Sequence, residues 1–379
     1  MNDTPLTERT AGTPQDTTTA GTTRGSTAAG TGAGAGARAA RERERERGRG
    51  RGREGDGGPW RRGRVLTAGA LLLALLLLLH GWIPNRGTGN LGSLVETFLP
   101  WFGLLVPVLL LLALLRRSAT AAVALVVPAV VWLSLFGGVL ADKSHQGGDF
   151  TVAEENVDAG NPDPAGTARA LAGSGADLLA LVELTPQATG GYERALAKAY
   201  PYRAVEGTVG VWSKRPLSGT RTIDVTDYGP LAARKTAAEK LPSNRALRTT
   251  VTTAHGPLTV YVAHLGSVRV NPLAGFSTAS RDIGVEALDG ALAADRSGRT
   301  VLLGDLNGTF GDRALAGLAA AGLRSAQDTA GDGFGFTWPA RFPVARIDQV
   351  LVRGVRAESS AVLGANGSDH LPVTARLGW

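Results

Sequence analysis

Three apolar stretches, at residues 65–83, 94–115 and 119–140, restrict this chain more than anything else in it. The first is a nearly unbroken Leu run. The second and third are interrupted only by Glu96 near one end and by Pro100, Pro107 and Pro128. A helix needs about 20 residues to cross the hydrocarbon core of a bilayer, and each stretch is close to that length. A cleaved signal peptide is the alternative for the first. A leader of 64 residues, a long apolar run and two further stretches behind it argue for three membrane spans instead.

The flanking charges orient those spans. Arg61, Arg62 and Arg64 abut the first, and Arg116-Arg117 separate the second from the third, whereas the intervening loop carries only Arg86. Basic flanks stay on the cytoplasmic side. The N-terminus and the Arg116-Arg117 turn are therefore expected inside, and everything after Asp142 outside, as a multi-pass plasma-membrane protein. Lys143 dissents but is outweighed.

The net charge of +7 follows the same division. From Phe150 onward 23 Lys+Arg face 22 Asp+Glu, so the basic excess lies in the first 64 residues and the membrane flanks. High pI is thus no argument for nucleic-acid binding. Residues 1–63 are rich in Thr, Gly, Ala and Arg, with Arg-Glu and Arg-Gly repeats, and lack the bulky apolar residues that offset ordering entropy. They are expected to be a disordered cytoplasmic tail, and residues 64–142 the transmembrane region. The absence of Cys excludes disulfides, thiolate metal sites and a Cys nucleophile.

Residues 150–379 alternate short β-like runs with Ala-rich helical stretches. Strands are expected at 151–157, 177–181, 208–213, 248–253, 258–263, 300–303, 347–352 and 373–377, and helices at 165–174, 276–292 and 313–321. Such a mixture argues an α/β or α+β layered fold. Gly229-Pro230 and residues 240–244 mark a long polar loop that could line a cleft. Trp212 and Trp338 are expected to be buried, and His255 to sit in a hairpin turn.

Polar residues recur where these apolar runs end. Asn156 closes the first strand and Glu183 the second. A rigid carboxylate suits Mg²⁺, which keeps waters and phosphate oxygens as its other ligands. Read singly, Glu183 is equally a solvated acid, and Asn156 a turn residue. His264 follows Tyr261-Val262-Ala263. Gly304-Asp305-Leu306-Asn307-Gly308 follows Val301-Leu302-Leu303, and its Asp and Asn at i and i+2 point the same way if the strand persists. Asp348 lies in Arg346-Ile347-Asp348-Gln349-Val350, and Gly367-Ser368-Asp369-His370-Leu371-Pro372-Val373 precedes the last strand.

The order and wording of these six segments resemble the endonuclease/exonuclease/phosphatase family over about Phe150 to Trp379. That family includes DNase I-like nucleases, abasic-site endonucleases, neutral sphingomyelinases and inositol-phosphate phosphatases. The resemblance implies a four-layer sandwich, two β-sheets face to face with helices outside, behind the transmembrane helices. It implies that Glu183 is the main metal ligand, with Asn156 and Asp369 assisting, that His264 contacts the scissile phosphate, and that Asp348 orients His370. Many relatives have Gln before the metal-binding Glu, where Val182 stands here.

Together these residues lead to an extracytoplasmic, membrane-anchored phosphoesterase using Mg²⁺, with Mn²⁺ as a substitute. His370 would activate water, and Asp305, Asn307 and His264 would orient the water and bind nonbridging oxygens. Extracellular nucleic acid leads as substrate, ahead of phospholipid and then inositol phosphates. A noncatalytic surface receptor or scaffold is the rival of a different class. It would have no need of the full set of acid, base and phosphate-contacting side chains.

Overall fold

Apolar runs that stop at polar residues become the paired inner strands of two six-stranded sheets. The structure, a computed structural model, describes residues 63–85, 88–226, 244–271 and 275–379. The expected tail through residue 62, with Arg61 and Arg62, as well as Arg86 and the polar loop through residue 243, lie outside the described residues.

Sheet one is built from β1 (Phe150–Asn156), β2 (Leu178–Val182), β3 (Tyr202–Glu206), β4 (Val209–Ser213), β13 (Arg356–Val362) and β14 (Val373–Gly378), in the order β13-β14-β1-β2-β4-β3. Sheet two takes β5 (Leu217–Thr222), β6 (Ala246–Thr253), β7 (Gly256–Ala263), β10 (Thr300–Asp305), β11 (Arg324–Ser325) and β12 (Asp348–Arg353), in the order β11-β12-β10-β7-β6-β5. A small hairpin, β8 (Arg269–Asn271) with β9 (Gly275–Ser277), stands apart. Each large sheet holds one parallel pair, β1 with β2 and β7 with β10, and the remaining pairings are antiparallel. Both strands of a parallel pair end on the same edge. The residues that follow them are therefore brought together.

Side-chain alternation sorts the core into three seams. Val152, Leu178, Val260 and Val301 fill the space between the sheets. Ala153, Leu179 and Trp212 face helices α1 (Pro164–Gly173) and α2 (Pro186–Leu196) on the outside of sheet one. Tyr261, Leu302 and Leu351 face α3 (Ala279–Ala294) outside sheet two. Helix, sheet, sheet, helix is the expected four-layer order.

Several expected elements shift. Phe276 belongs to β9, and the helix expected from it begins at Ala279. Residues 313–321 are a 3₁₀ turn, Arg313–Leu315, followed by the short helix α4 (Ala316–Ala320). Another short helix, α5 (Ala326–Ala330), precedes the loop to β12.

Three helices, Arg64–Trp82, Leu91–Leu115 and Ala119–Leu140, are long and apolar enough to cross a membrane. They meet along small residues, Ala70, Ala113 and Ala121, which let backbones approach closely. Leu72, Leu111 and Val130 point outward and are more than half exposed. Pro100 and Pro107 leave the second helix with a 3₁₀ turn at Leu99–Leu104. Gly63 and Ser118 meet at one end of the bundle, so Arg64 and the Arg116-Arg117 turn share that end. The other end is docked on the sandwich.

Candidate active site

Six strand ends converge on one edge of the sandwich. Asn156 ends β1, Glu183 follows β2, His264 follows β7, Asp305 ends β10, Asp348 opens β12, and His370 precedes β14. Cross-strand pairing sets Asp305 directly opposite Asp348. Gly304 has φ 143°, and a side chain there would collide with the Ala263 carbonyl. Glycine thus lets β10 press against β7 and brings Asp305 beside His264.

Asp348 and His370 form the tightest contact. His370 Nδ1 lies 2.9 and 3.0 Å from the two Asp348 carboxylate oxygens. Both side chains are buried. That carboxylate fixes the ring orientation and calls for a proton on Nδ1, which leaves Nε2 facing the site. Nε2 is 4.0 Å from Asp305 Oδ2 and 4.0 Å from Asp369 Oδ1. Ser368 sets the approach, since its hydroxyl donates to the Asn156 carbonyl at 2.6 Å and accepts from His370 N–H at 3.0 Å.

Asp305 is the centre of the cluster. It accepts from Asn156 Nδ2 at 3.0 Å and from the backbone N–H of Asn307 at 2.8 Å. Burial and the Asp348 charge push its carboxyl up to about 7, against the opposing pull of His370 and these hydrogen bonds. Burial alone would lower the His370 pKa. The charge and hydrogen bond of Asp348, with Asp305 and Asp369, reverse this and raise it to about 10. In the protein by itself the imidazolium is the favoured form.

His264 is held differently. Burial, then the nearby cations Arg245 and His370, keep its pKa well below the usual histidine range. Its Nε2 is 3.5 Å from Glu183 and 3.7 Å from Asp305, and neither ring nitrogen has a hydrogen-bond partner among the described residues. A neutral, buried imidazole with an open N–H is a donor waiting for an acceptor. Asn307 Nδ2 donates to the Leu265 carbonyl at 3.1 Å, which fixes its amide while the NH₂ group retains a second N–H.

Glu183 sits at φ 63° and Asn307 at φ 48°, left-handed backbone that costs a non-glycine residue energy. Glu183 is more accessible than the buried Asp305 and Asp348, with one oxygen accepting from Ala159 N–H at 3.1 Å. Asp305, Asp348 and His370 each offer a ligand atom, and these three atoms lie within 4.8 Å of one another. The donors here are carboxylate oxygens, amides and imidazoles, with no thiolate. Such a set fits a hard divalent cation, and the orphaned His264 nitrogens fit an anionic oxygen beside it.

The structure therefore gathers Asn156, Glu183, His264, Asp305, Asn307, Asp348 and His370 at one edge. Asp369 stands on the rim, with its side chain 58% exposed. Trp338 is not buried as expected. It is 38% exposed with its ring centroid 6.4 Å from that of His370, because the loop before β12 carries it out over the edge. Trp212 is fully buried, and His255 lies at the β6–β7 turn as expected.

Sequence reasoning missed the braces. Arg281 is fully buried, pairs with Asp312 at 2.7 Å and donates to the Asn307 carbonyl at 3.4 Å. It falls on the buried face of α3 with Gly284, Val285, Leu288 and Leu292, and an Arg on such a stripe was the available signal. Glu154 and Glu155, given no role, are also buried.

The model of the Endonuclease/Exonuclease/phosphatase family matches residues 156–370. No curated protein matches the chain. Among solved structures, a humanized D. rerio TDP2 is 19% identical, covering 61% of this chain and 99% of that one, with TM-score 0.48. A mannosyl-6-phosphatase of Bacteroides thetaiotaomicron is 14% identical over 61% and 100%, TM-score 0.48. Sphingomyelinase C from Streptomyces griseocarneus is 21% identical over 60% and 98%, TM-score 0.45.

Proposed function

The chain belongs to the endonuclease/exonuclease/phosphatase family of phosphate-ester hydrolases, and on that premise we propose that it is a membrane-anchored, extracytoplasmic, Mg²⁺-dependent phosphodiesterase. The observation that carries this reading is the buried Asp348–His370 pair, with Nε2 turned toward Asp305. Water would attack phosphorus as its proton passes to Nε2 of His370, and the P–O ester bond opposite would break. The leaving oxygen would then take up a proton. Asp348 holds the ring and stabilises the imidazolium that forms. Asp305, fixed by Asn156 and the Asn307 N–H, would orient the water, and His264 would donate to a nonbridging oxygen.

Glu183 would hold the cation, with Asn156 and Asp369 assisting, as the sequence reading has it; Asp305 adds a carboxylate within reach. A bound dication would polarise the phosphoryl group, ease departure of the leaving oxygen and offset the carboxylate field that keeps His370 protonated. Mn²⁺ has the same preference for oxygen and imidazole donors.

Arg64 and Arg116-Arg117 at the bundle end away from the sandwich support an extracytoplasmic site, by the preference of basic flanks for the cytoplasm. The test is hydrolysis of bis(p-nitrophenyl) phosphate by the full-length chain in detergent, with Mg²⁺ and with chelator. Turnover should need the metal and vanish in His370→Ala. Turnover that survives either change removes the reading.

A further inference from the structure

The loops that frame the catalytic edge also carry the contacts with the membrane helices. In the loop after Asn307, Asp312 accepts from Ser93 at 2.9 Å, and Arg313 pairs with Glu96 at 2.6 Å while donating to the His80 and Ile83 carbonyls. In the loop before Asp348, Phe336 stacks on Trp101 at 5.4 Å, and the Val344 carbonyl accepts from Trp101 Nε1 at 2.8 Å. The β8–β9 hairpin follows His264, and there Phe276 exchanges hydrogen bonds with Gly89 and Asn90. The sandwich thus turns its catalytic edge toward the bundle. The edge bearing Phe150 and Trp379 is turned away.

The surface chemistry of that rim agrees. Outside the spans, large apolar side chains are exposed at Tyr202, Val270, Trp338 and Phe342 among the described residues. Three of those four lie on the hairpin or on the loop before β12. Phe342 is 68% and Val270 65% exposed, and Arg269 and Arg341 are exposed beside them. Apolar side chains interleaved with Arg suit the boundary between acyl chains and phosphate headgroups. Between the third span and the same loops lies a cavity of about 530 Å³, with Phe136, Val139, Phe334 and Phe336 among its walls alongside Lys143. It opens beside Thr309 and Arg346, each two residues from a site residue.

We propose that the substrate is a phosphodiester carried by a lipid of the bilayer that holds the spans. This rests on the phosphoesterase reading above and names its substrate class. The exposed apolar rim contacts the bilayer, and the headgroup phosphate reaches His370 from the membrane side. Water adds to phosphorus and one P–O ester bond breaks. The products are a phosphomonoester and an alcohol, one of which stays in the membrane. A nucleic acid would instead have to enter between this rim and the headgroup layer, where the apolar side chains offer it no phosphate contact.

The test uses the full-length chain reconstituted in phosphatidylcholine vesicles with Mg²⁺. Separate arms carry sphingomyelin, phosphatidylglycerol or phosphatidylinositol, and parallel assays use bis(p-nitrophenyl) phosphate and plasmid DNA. One lipid arm should release product at a rate set by that lipid's mole fraction in the same vesicle, whatever the vesicle concentration. Val270→Ser with Phe342→Ser should lower the ratio of lipid to soluble-ester turnover roughly tenfold, the loss expected when buried apolar side chains become polar. Cleavage of the soluble ester or plasmid with no lipid turned over in any arm overturns the lipid proposal and leaves the phosphoesterase standing. So does a double variant that lowers both turnovers equally. If His370→Ala leaves soluble-ester cleavage intact, the phosphoesterase reading falls, and this proposal with it.

Discussion

His370 and Asp348 touch at both carboxylate oxygens, and the cost of losing either side chain should show whether they work as one. Positioned proton transfer contributes about 10²–10⁴-fold, so His370→Ala should lose nearly all of kcat/KM. Asp348→Asn should lose most of it, because an amide holds the wrong tautomer and cannot stabilise an imidazolium. The double variant should then be little worse than His370→Ala alone. Fully additive losses, in variants shown by thermal melts to be folded, would separate the two residues. Glu154 makes a different prediction. It is fully buried beneath the site with neither carboxyl oxygen hydrogen-bonded among the described residues, and burial, then Asp348, Asp305 and Glu155, raise its pKa far above the carboxylate range. Folding must therefore take up a proton above the unfolded value of about 4.3, and stability falls as pH rises from there. Glu155, pushed up to about 8 by burial, adds to the same slope. Glu154→Gln removes one ionisable group, so its melting temperature should fall less than that of wild type between about pH 5 and about pH 8. Equal slopes would show that Glu154 is ionised in the folded protein. His370 and Asp348 were legible in the sequence because apolar runs stop beside them. The burial of Glu154 was not, since an acid within an alternating strand reads as its solvent face.

At the scale of elements, the turn that carries Asp305 and Asn307 is held from behind. Arg281 on α3 reaches both Asp312 and the Asn307 carbonyl, and Asp312 in turn accepts from Ser93 at the start of the second apolar helix. Removing one partner of a buried pair leaves the other charge uncompensated, at about 3–5 kcal/mol. Arg281→Met should lower the melting temperature strongly and weaken turnover with it. Arg281→Met with Asp312→Leu should recover much of the stability, since no charge is then stranded. A double variant as unstable as the single one would show that the pair does not act as a unit. The inner strands, β1, β2, β7, β10 and β12, were legible as apolar runs with nearly correct ends. The edge strands β3, β5 and β13 were not, because their partly exposed faces carry Arg, Ser, Thr and Glu and show no apolar alternation. Phe276 read as the start of a helix because the helical period of α3 runs back to it. A hairpin pairing with Arg269–Asn271 claims it instead.

For the molecule as a whole, three long apolar helices with basic flanks make a topological prediction. A reporter fused after Trp379 should be extracytoplasmic, and one placed before Arg61 cytoplasmic. Protease added to intact cells should reach the sandwich, and protection until lysis would reverse the orientation. The three long apolar helices were legible from length and composition alone. Their docking on the sandwich was not, because it depends on single side chains such as Glu96 and Trp101 whose partners lie more than 200 residues away. That docking changes what a cut can do. Residues 141–149 are the covalent tie between the last apolar helix and β1. Here Arg313 remains on Glu96, Phe336 on Trp101 and Phe276 on Gly89 after the chain is broken. A protein nicked in that stalk should keep its β-sandwich on the three apolar helices as a non-covalent complex, separated by denaturant and not by proteolysis alone.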